Sequence, residues 1–104
     1  MVTGKTLLIL GGTGEARELA RRAVEVFGDR ARVVSSLAGR TSGPAAIAGT
    51  VRTGGFGGSE GLAAYLRDEA VACVVDATHP FAAEITDHAH AACLREEVPR
   101  LLLE

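Results

Sequence analysis

An apolar run, Leu7-Leu8-Ile9-Leu10, breaks into Gly11-Gly12-Thr13-Gly14 and opens at once into an amphipathic stretch that starts Glu15-Ala16-Arg17. A buried strand, a glycine turn and a helix in this order constrain the chain more than any other feature. Glycine allows the tight turn and lets a phosphate group approach main-chain N–H groups. The helix that follows turns its positive dipole end to the same point. The dinucleotide-binding fingerprint is G-x-G-x-x-G after a strand. Gly12 and Gly14 meet two of its three glycine positions, and Arg17 stands at the third. That third glycine serves close helix–strand packing, so a somewhat different helix approach is expected. A plain strand–helix turn with no ligand is the competing reading; motif and context favour the ligand.

Periodicity extends this start into a whole domain. Helical spacing predicts a helix from about Glu15 to Phe27, with Ala16, Leu19, Ala20, Ala23, Val24 and Phe27 on one face. Gly28-Asp29 ends it, and a strand over Ala31–Ser36 completes a right-handed βαβ unit. A polar segment follows. A short strand is expected at Thr50–Thr53, then Gly54-Gly55-Phe56-Gly57-Gly58 and a helix capped by Ser59 that runs to about Glu69. Leu62, Ala63, Leu66 and Ala70 are its inward residues. Val71–Asp76 reads as a buried strand, and Pro80 suits the first turn of a helix presenting Ala82, Ile85, Ala89, Ala92 and Cys93. Pro99 to Leu103 is the last strand. The expectation is one α/β, Rossmann-like, three-layer domain over residues 1–104, with a mostly parallel sheet of about five strands. An apolar strand at the very end suits a chain cut at a domain boundary.

Composition agrees. Apolar residues make up 47% and aromatics only 4%, so the core must come from Ala, Val, Leu and Ile, which suits helices lying close on a parallel sheet. A net charge of −2 offers no general field for nucleic acid or an anionic membrane. No apolar run approaches a bilayer span, and the start lacks a signal-peptide pattern. Cys73 and Cys93, without CxxC spacing, read as reduced thiols of a cytoplasmic protein. Glu84 and His88 share a helix face, but two such residues make no metal site, and no zinc spacing, Walker lysine or Ser-His-Asp constellation is present.

Ligands of open parallel sheets bind outside the carboxyl ends of the strands. Four loops leave those ends: Gly11–Gly14, Ser36–Thr41, Gly54–Gly58 and Ala77–Phe81. NAD-binding folds usually place an acid after the second strand to hold the ribose 2′-hydroxyl. Here Ser35 and Ser36 stand there, followed by Arg40, which favours NADP(H) over NAD(H); a plain surface arginine is the alternative. The Gly54–Gly58 loop is either a flexible turn or a backbone pressed on a ligand, with Phe56 as a flat surface. His79 stands before a helix N-terminus, where a neutral, hydrogen-bonding imidazole is expected; a capping role competes with a catalytic one.

Four ordered phrases together resemble a known family. Ile9-Leu10-Gly11-Gly12-Thr13-Gly14-Glu15-Ala16, Ser36-Leu37-Ala38-Gly39-Arg40-Thr41, Arg52-Thr53-Gly54-Gly55-Phe56-Gly57-Gly58 and Asp76-Ala77-Thr78-His79-Pro80-Phe81-Ala82 are similar to precorrin-6A reductases of cobalamin biosynthesis, as is Val98-Pro99-Arg100. The resemblance implies an NADPH-dependent reduction of one double bond of a tetrapyrrole (precorrin) substrate, precorrin-6A to precorrin-6B. It covers the N-terminal half of longer family members, whose C-terminal α/β domain would complete the cleft. Leu101-Leu102-Leu103-Glu104 departs from the more polar family pattern. On this resemblance Gly12, Thr13, Gly14 and Glu15 hold the pyrophosphate, Ser36 and Arg40 meet the adenosine ribose, and Gly55, Phe56 and Gly57 line the cofactor. Thr78, His79 and Phe81 lie near the nicotinamide or macrocycle, with His79 the catalytic candidate. A non-catalytic nucleotide-binding module, or a regulatory α/β domain using its glycines only as turns, are the competing readings.

Overall fold

The computed structural model describes residues 5–37, 47–78 and 83–103. Strands and helices alternate as β1 (Thr6–Leu10), α1 (Gly14–Phe27), β2 (Arg32–Leu37), β3 (Thr50–Thr53), α2 (Gly58–Asp68), β4 (Val71–Asp76), α3 (Ala83–Glu96) and β5 (Arg100–Leu102). One sheet holds all five strands in the order β3-β2-β1-β4-β5. Every neighbouring pair is parallel, as the alternating pattern predicts. The chain steps outward from β1 to β3 on one side and then returns to β4 on the other. The reversal places a switch point between β1 and β4, and ligands of open parallel sheets bind outside the carboxyl ends of the strands near such a point.

Alternation along the strands divides the core in two. Leu8, Leu10, Val34 and Val74 pack on one face against Leu62, Ala63 and Leu66 of α2 and Ala89, Ala92 and Cys93 of α3. Ile9 and Val33 pack on the other against Ala16, Ala20 and Ala23 of α1. Because β1 is covered on both faces, it reads as an unbroken apolar run rather than an alternating one. Alanines on the buried stripe let the α1 backbone lie close to the sheet.

Several expectations shift. Gly57, in a left-handed conformation with φ 90°, takes the cap position of α2, and Ser59 lies inside the first turn. Ala70, expected to face inward, is exposed, because the chain leaves α2 through a left-handed residue with φ 53°. Phe27 likewise ends 39% exposed at the last position of α1, beyond the helices' buried stripe. Ala82 lies outside the described residues.

Candidate functional site

Strand β1 delivers its glycine turn directly under the end of β2: the Gly11 N–H donates to the Ser36 carbonyl at 2.8 Å. Gly12 then adopts φ 117°, and a Cβ there would meet nothing within 4 Å. Only glycine holds this conformation without strain, and its open side faces the space above the loop. Thr13 caps α1: its Oγ1 accepts from the Ala16 N–H at 3.1 Å and donates to the Ala77 carbonyl at 2.8 Å. The hydroxyl expected to touch pyrophosphate is therefore engaged in tying the loop to the end of β4. What the helix end offers an anion is its first-turn backbone N–H groups, which have no acceptor within the helix.

Close helix–strand approach occurs at Gly11 rather than at the third fingerprint position. A Cβ on Gly11 would stand 3.4 Å from the Ala16 Cβ and 3.5 Å from the Leu37 Cδ2. Small residues at 11 and 16 thus do the work that a third glycine does elsewhere, and Arg17 is left exposed. Above this contact lies a crevice of about 50 Å³ between Gly12, Thr13 and Ala16 on one side and Ser35, Leu37 and Ile47 on the other. Ser35 is 3% exposed, and its Oγ has no hydrogen-bond partner among the described residues. Native interiors rarely leave such a group unpaired, because burying a hydroxyl without a partner costs about 1–3 kcal/mol.

Ser36 lies on the opposite face of β2 and is also buried. Its Oγ accepts from Arg52 Nη1 at 2.9 Å, across the parallel β2–β3 register that pairs Ser36 with Arg52. The same guanidinium donates to the Gly54 carbonyl at 3.2 Å and the Gly55 carbonyl at 3.1 Å. It lies 3.9 Å from the Phe56 ring centroid, and Phe56 meets Tyr65 edge to face at 5.1 Å. Phe56 is therefore turned into the protein with Arg52 over it. Gly54, Gly57 and Gly58 have φ values of 97°, 90° and 74°, so the turn itself requires glycine at three of the four positions. Gly61 completes the fit: a Cβ there would stand 1.7 Å from the Phe56 carbonyl oxygen.

At the end of β4 the chemistry is self-contained. Asp76 is fully buried. Its Oδ1 accepts from the Thr78 N–H at 3.2 Å and the Thr78 hydroxyl at 2.6 Å, and its Oδ2 accepts from the Thr86 hydroxyl at 2.7 Å. Arg100 Nη1 stands 3.9 Å from the same Oδ2, and Arg100 Nη2 lies 3.3 Å from His90 Nδ1. Thr78, expected at the cofactor, thus spends its hydroxyl on holding the start of its own loop. Arg40, His79 and Phe81 lie outside the described residues.

Sequence reasoning assigned no role to Arg52, Asp76 or Arg100. An acid at the end of an apolar strand, Val74-Val75-Asp76, and a cation two residues before a glycine run were the available signals. Burial pushes the Cys93 and Cys73 thiols above their ordinary range, so neither is an activated nucleophile. Among the described residues no group of three or more His, Cys, Asp or Glu could hold a metal. No described helix is long and apolar enough to cross a membrane.

The family model described as Precorrin-6x reductase CbiJ/CobK matches residues 6–104. A precorrin-6A reductase of Rhodococcus erythropolis is 54% identical over 97 residues, which span 93% of this chain and 38% of that protein. One from Mycobacterium tuberculosis is 50% identical over the same coverage. A solved structure, CobK precorrin-6A reductase, superposes with a TM-score of 0.84 at 47% identity, over 96% of this chain and 39% of that one. A second, glycinamide-RNase-transformylase T from Mycobacterium tuberculosis, superposes with a TM-score of 0.59 at 26% identity, over 93% of this chain and 28% of that one. The chain spans under two fifths of the length of these relatives. It belongs to the CbiJ/CobK family of precorrin-6x reductases.

Proposed function

We propose that this chain is the cofactor-holding part of an NADPH-dependent precorrin-6A reductase, one that reduces a double bond of the macrocycle to give precorrin-6B in cobalamin biosynthesis. The crevice between the β1 turn and the end of β2 carries the reading: a positive-φ glycine, a capped helix end and the Ser35 hydroxyl, unpartnered among the described residues, meet there. These residues fit a dinucleotide. Gly12 leaves room for the pyrophosphate, the N–H groups of Gly14 and Glu15 present the positive end of α1, and Ser35 supplies a waiting hydrogen bond. When bound, the nicotinamide supplies the hydride.

The chain's own task is orientation. Thr13 fixes the β1 loop to the β4 end, which ties the pyrophosphate seat to the Ala77 carbonyl. The Asp76 network holds Thr78 in place at the root of that second loop. We assign His79 to the reacting end, toward nicotinamide or macrocycle, and Gly55 to Gly57 to the adenosine side. A tetrapyrrole needs a broad cleft with a second wall, which the additional length of the relatives would supply. A cytoplasmic setting, which keeps the two free cysteines reduced, goes with this reading.

Two measurements test it. Calorimetric titration of this chain is expected to show NADPH binding, and absence of any NADPH binding overturns the reading. NADPH oxidation with precorrin-6A is expected from a full-length relative and not from these 104 residues alone. Comparable turnover from both would overturn the two-walled site. In the full-length enzyme, replacing the residue equivalent to His79 with alanine should lower turnover while leaving NADPH affinity within about twofold.

A further inference from the structure

We infer that Arg52 is the residue that recognises the 2′-phosphate of the dinucleotide. The inference rests on the cofactor reading above and assigns its selectivity to a side chain of β3. An arginine presents five N–H donors. Arg52 directs three hydrogen bonds inward, from Nη1 to Ser36 Oγ and the Gly54 carbonyl and from Nη2 to the Gly55 carbonyl. The Nε–H and the second Nη2–H have no acceptor among the described residues. A guanidinium with donors left over in this way can present them to two oxygens of a phosphate.

The group is also held ready. Phe56 lies against it at 3.9 Å from ring centroid to guanidinium carbon, with Tyr65 at 5.3 Å. Three hydrogen bonds and a stacked ring fix the fork before any ligand arrives, which lowers the ordering cost of binding. Its charge is unpaired by any carboxylate among the described residues, whereas Arg21, Arg32, Arg67 and Arg100 each have one within 4.0 Å.

Position agrees with charge. Arg52 lies opposite Ser36 in the register, at the carboxyl end of the sheet and one strand outward from β2. The Gly54 N–H donates to the Leu37 carbonyl at 2.9 Å, which fastens the β3 loop to the rim of the crevice. From the glycine turn on β1 to β3 is two strand spacings, about 10 Å, a span that a dinucleotide covers between its pyrophosphate and its adenosine ribose. No acid stands at Ser35 or Ser36 to repel a phosphate there.

The test is titration of wild type, Arg52→Ala and Arg52→Lys with NADPH and NADH, and with 2′,5′-ADP and 5′-AMP as fragments. Wild type should prefer NADPH, and Arg52→Ala should weaken NADPH and 2′,5′-ADP by about 10- to 100-fold while NADH and 5′-AMP stay within about twofold. Arg52→Lys, which keeps charge but not the fork, should fall between. A wild type that binds neither cofactor overturns the cofactor reading and this inference together. Equal wild-type affinities for NADPH and NADH overturn this inference alone. It is also overturned if Arg52→Ala weakens both cofactors equally, since the residue would then only shape the loop, or if the variant keeps the NADPH preference.

Discussion

The two sides of the switch point are built on opposite plans. Over β4 and β5 the buried carboxylate is satisfied: fully buried Asp76 accepts from the half-buried Thr78 and Thr86 and sits beside Arg100, whose Nη1 is left without a hydrogen bond. Over β1, β2 and β3 hydrogen-bonding capacity is left over among the described residues: Ser35 Oγ has no partner there, Arg52 Nε–H has no acceptor there, and the first-turn N–H groups of α1 have none within the helix. A satisfied network resists change and specifies the backbone, whereas a partly satisfied one costs stability unless something else completes it. On the proposed function, the first side is scaffold and the second is site. Substitutions on the scaffold should cost stability and spare binding, and those on the site should do the reverse.

The largest effect is expected from Asp76→Ala. Removing the carboxylate strands Arg100 Nη1, already without a hydrogen bond, and frees two half-buried hydroxyls. Breaking one partner of a buried pair costs about 3–5 kcal/mol. Arg100 is 22% exposed, which moves the expectation to the lower end, about 3 kcal/mol. The urea midpoint should fall with the m-value unchanged. A loss under about 1 kcal/mol would show that the network is ornamental and erase the contrast.

Gly61→Ala comes next. The added Cβ would stand 1.7 Å from the Phe56 carbonyl oxygen, so either α2 or the glycine loop must shift. Overpacking of this kind costs about 1–3 kcal/mol. Because Phe56 supports Arg52, NADPH affinity should drop along with the melting temperature. Loss of stability with full retention of binding would separate the loop from the site.

How much of this was legible beforehand follows from what each feature depends on. The β1–glycine–α1 start could be read because strand burial, turn and helix face are all local. A mostly parallel sheet of about five strands could be read from periodicity and connection length. Arg52 could not be read, since its meaning comes from the Ser36 register, 16 residues away in sequence. Phe56 reads in the sequence as a flat surface for a ligand, with a flexible turn as the alternative, and neither reading foresees that Arg52 and Tyr65 pack on its ring. Thr13 and Thr78 were matched to a ligand by motif, yet their hydroxyls bond to Ala77 and Asp76, partners set by how β1 and β4 lie side by side. Ala70 was misassigned because helical periodicity does not show where a left-handed residue ends the helix.

On the site side, Gly12→Val should separate binding from folding. A branched residue at φ 117° is strained by about 1–3 kcal/mol, and its side chain would fill the open space above the turn. Circular dichroism should remain that of an α/β fold while the NADPH titration signal disappears. Binding as tight as wild type would move the pyrophosphate off this turn.

Ser35→Ala gives the smallest change in stability and the sharpest test, because the two readouts should move in opposite directions. The buried hydroxyl has no partner among the described residues, so removing it relieves a desolvation cost and leaves a methyl group against Ile47 and Leu37. Replacing an unsatisfied polar group by an apolar one of similar shape is neutral or stabilising, here by up to about 1 kcal/mol. A hydroxyl that waits for the cofactor loses about one neutral hydrogen bond on removal, so NADPH affinity should fall roughly 3- to 10-fold. If Arg52 reads the 2′-phosphate as inferred and Ser35 meets a part common to both cofactors, NADH affinity should fall by the same factor, unlike the selective loss expected of Arg52→Ala. If Ser35→Ala instead destabilised the protein and left both affinities unchanged, the hydroxyl would belong to the scaffold, and the crevice floor would sit on the wrong side of the comparison.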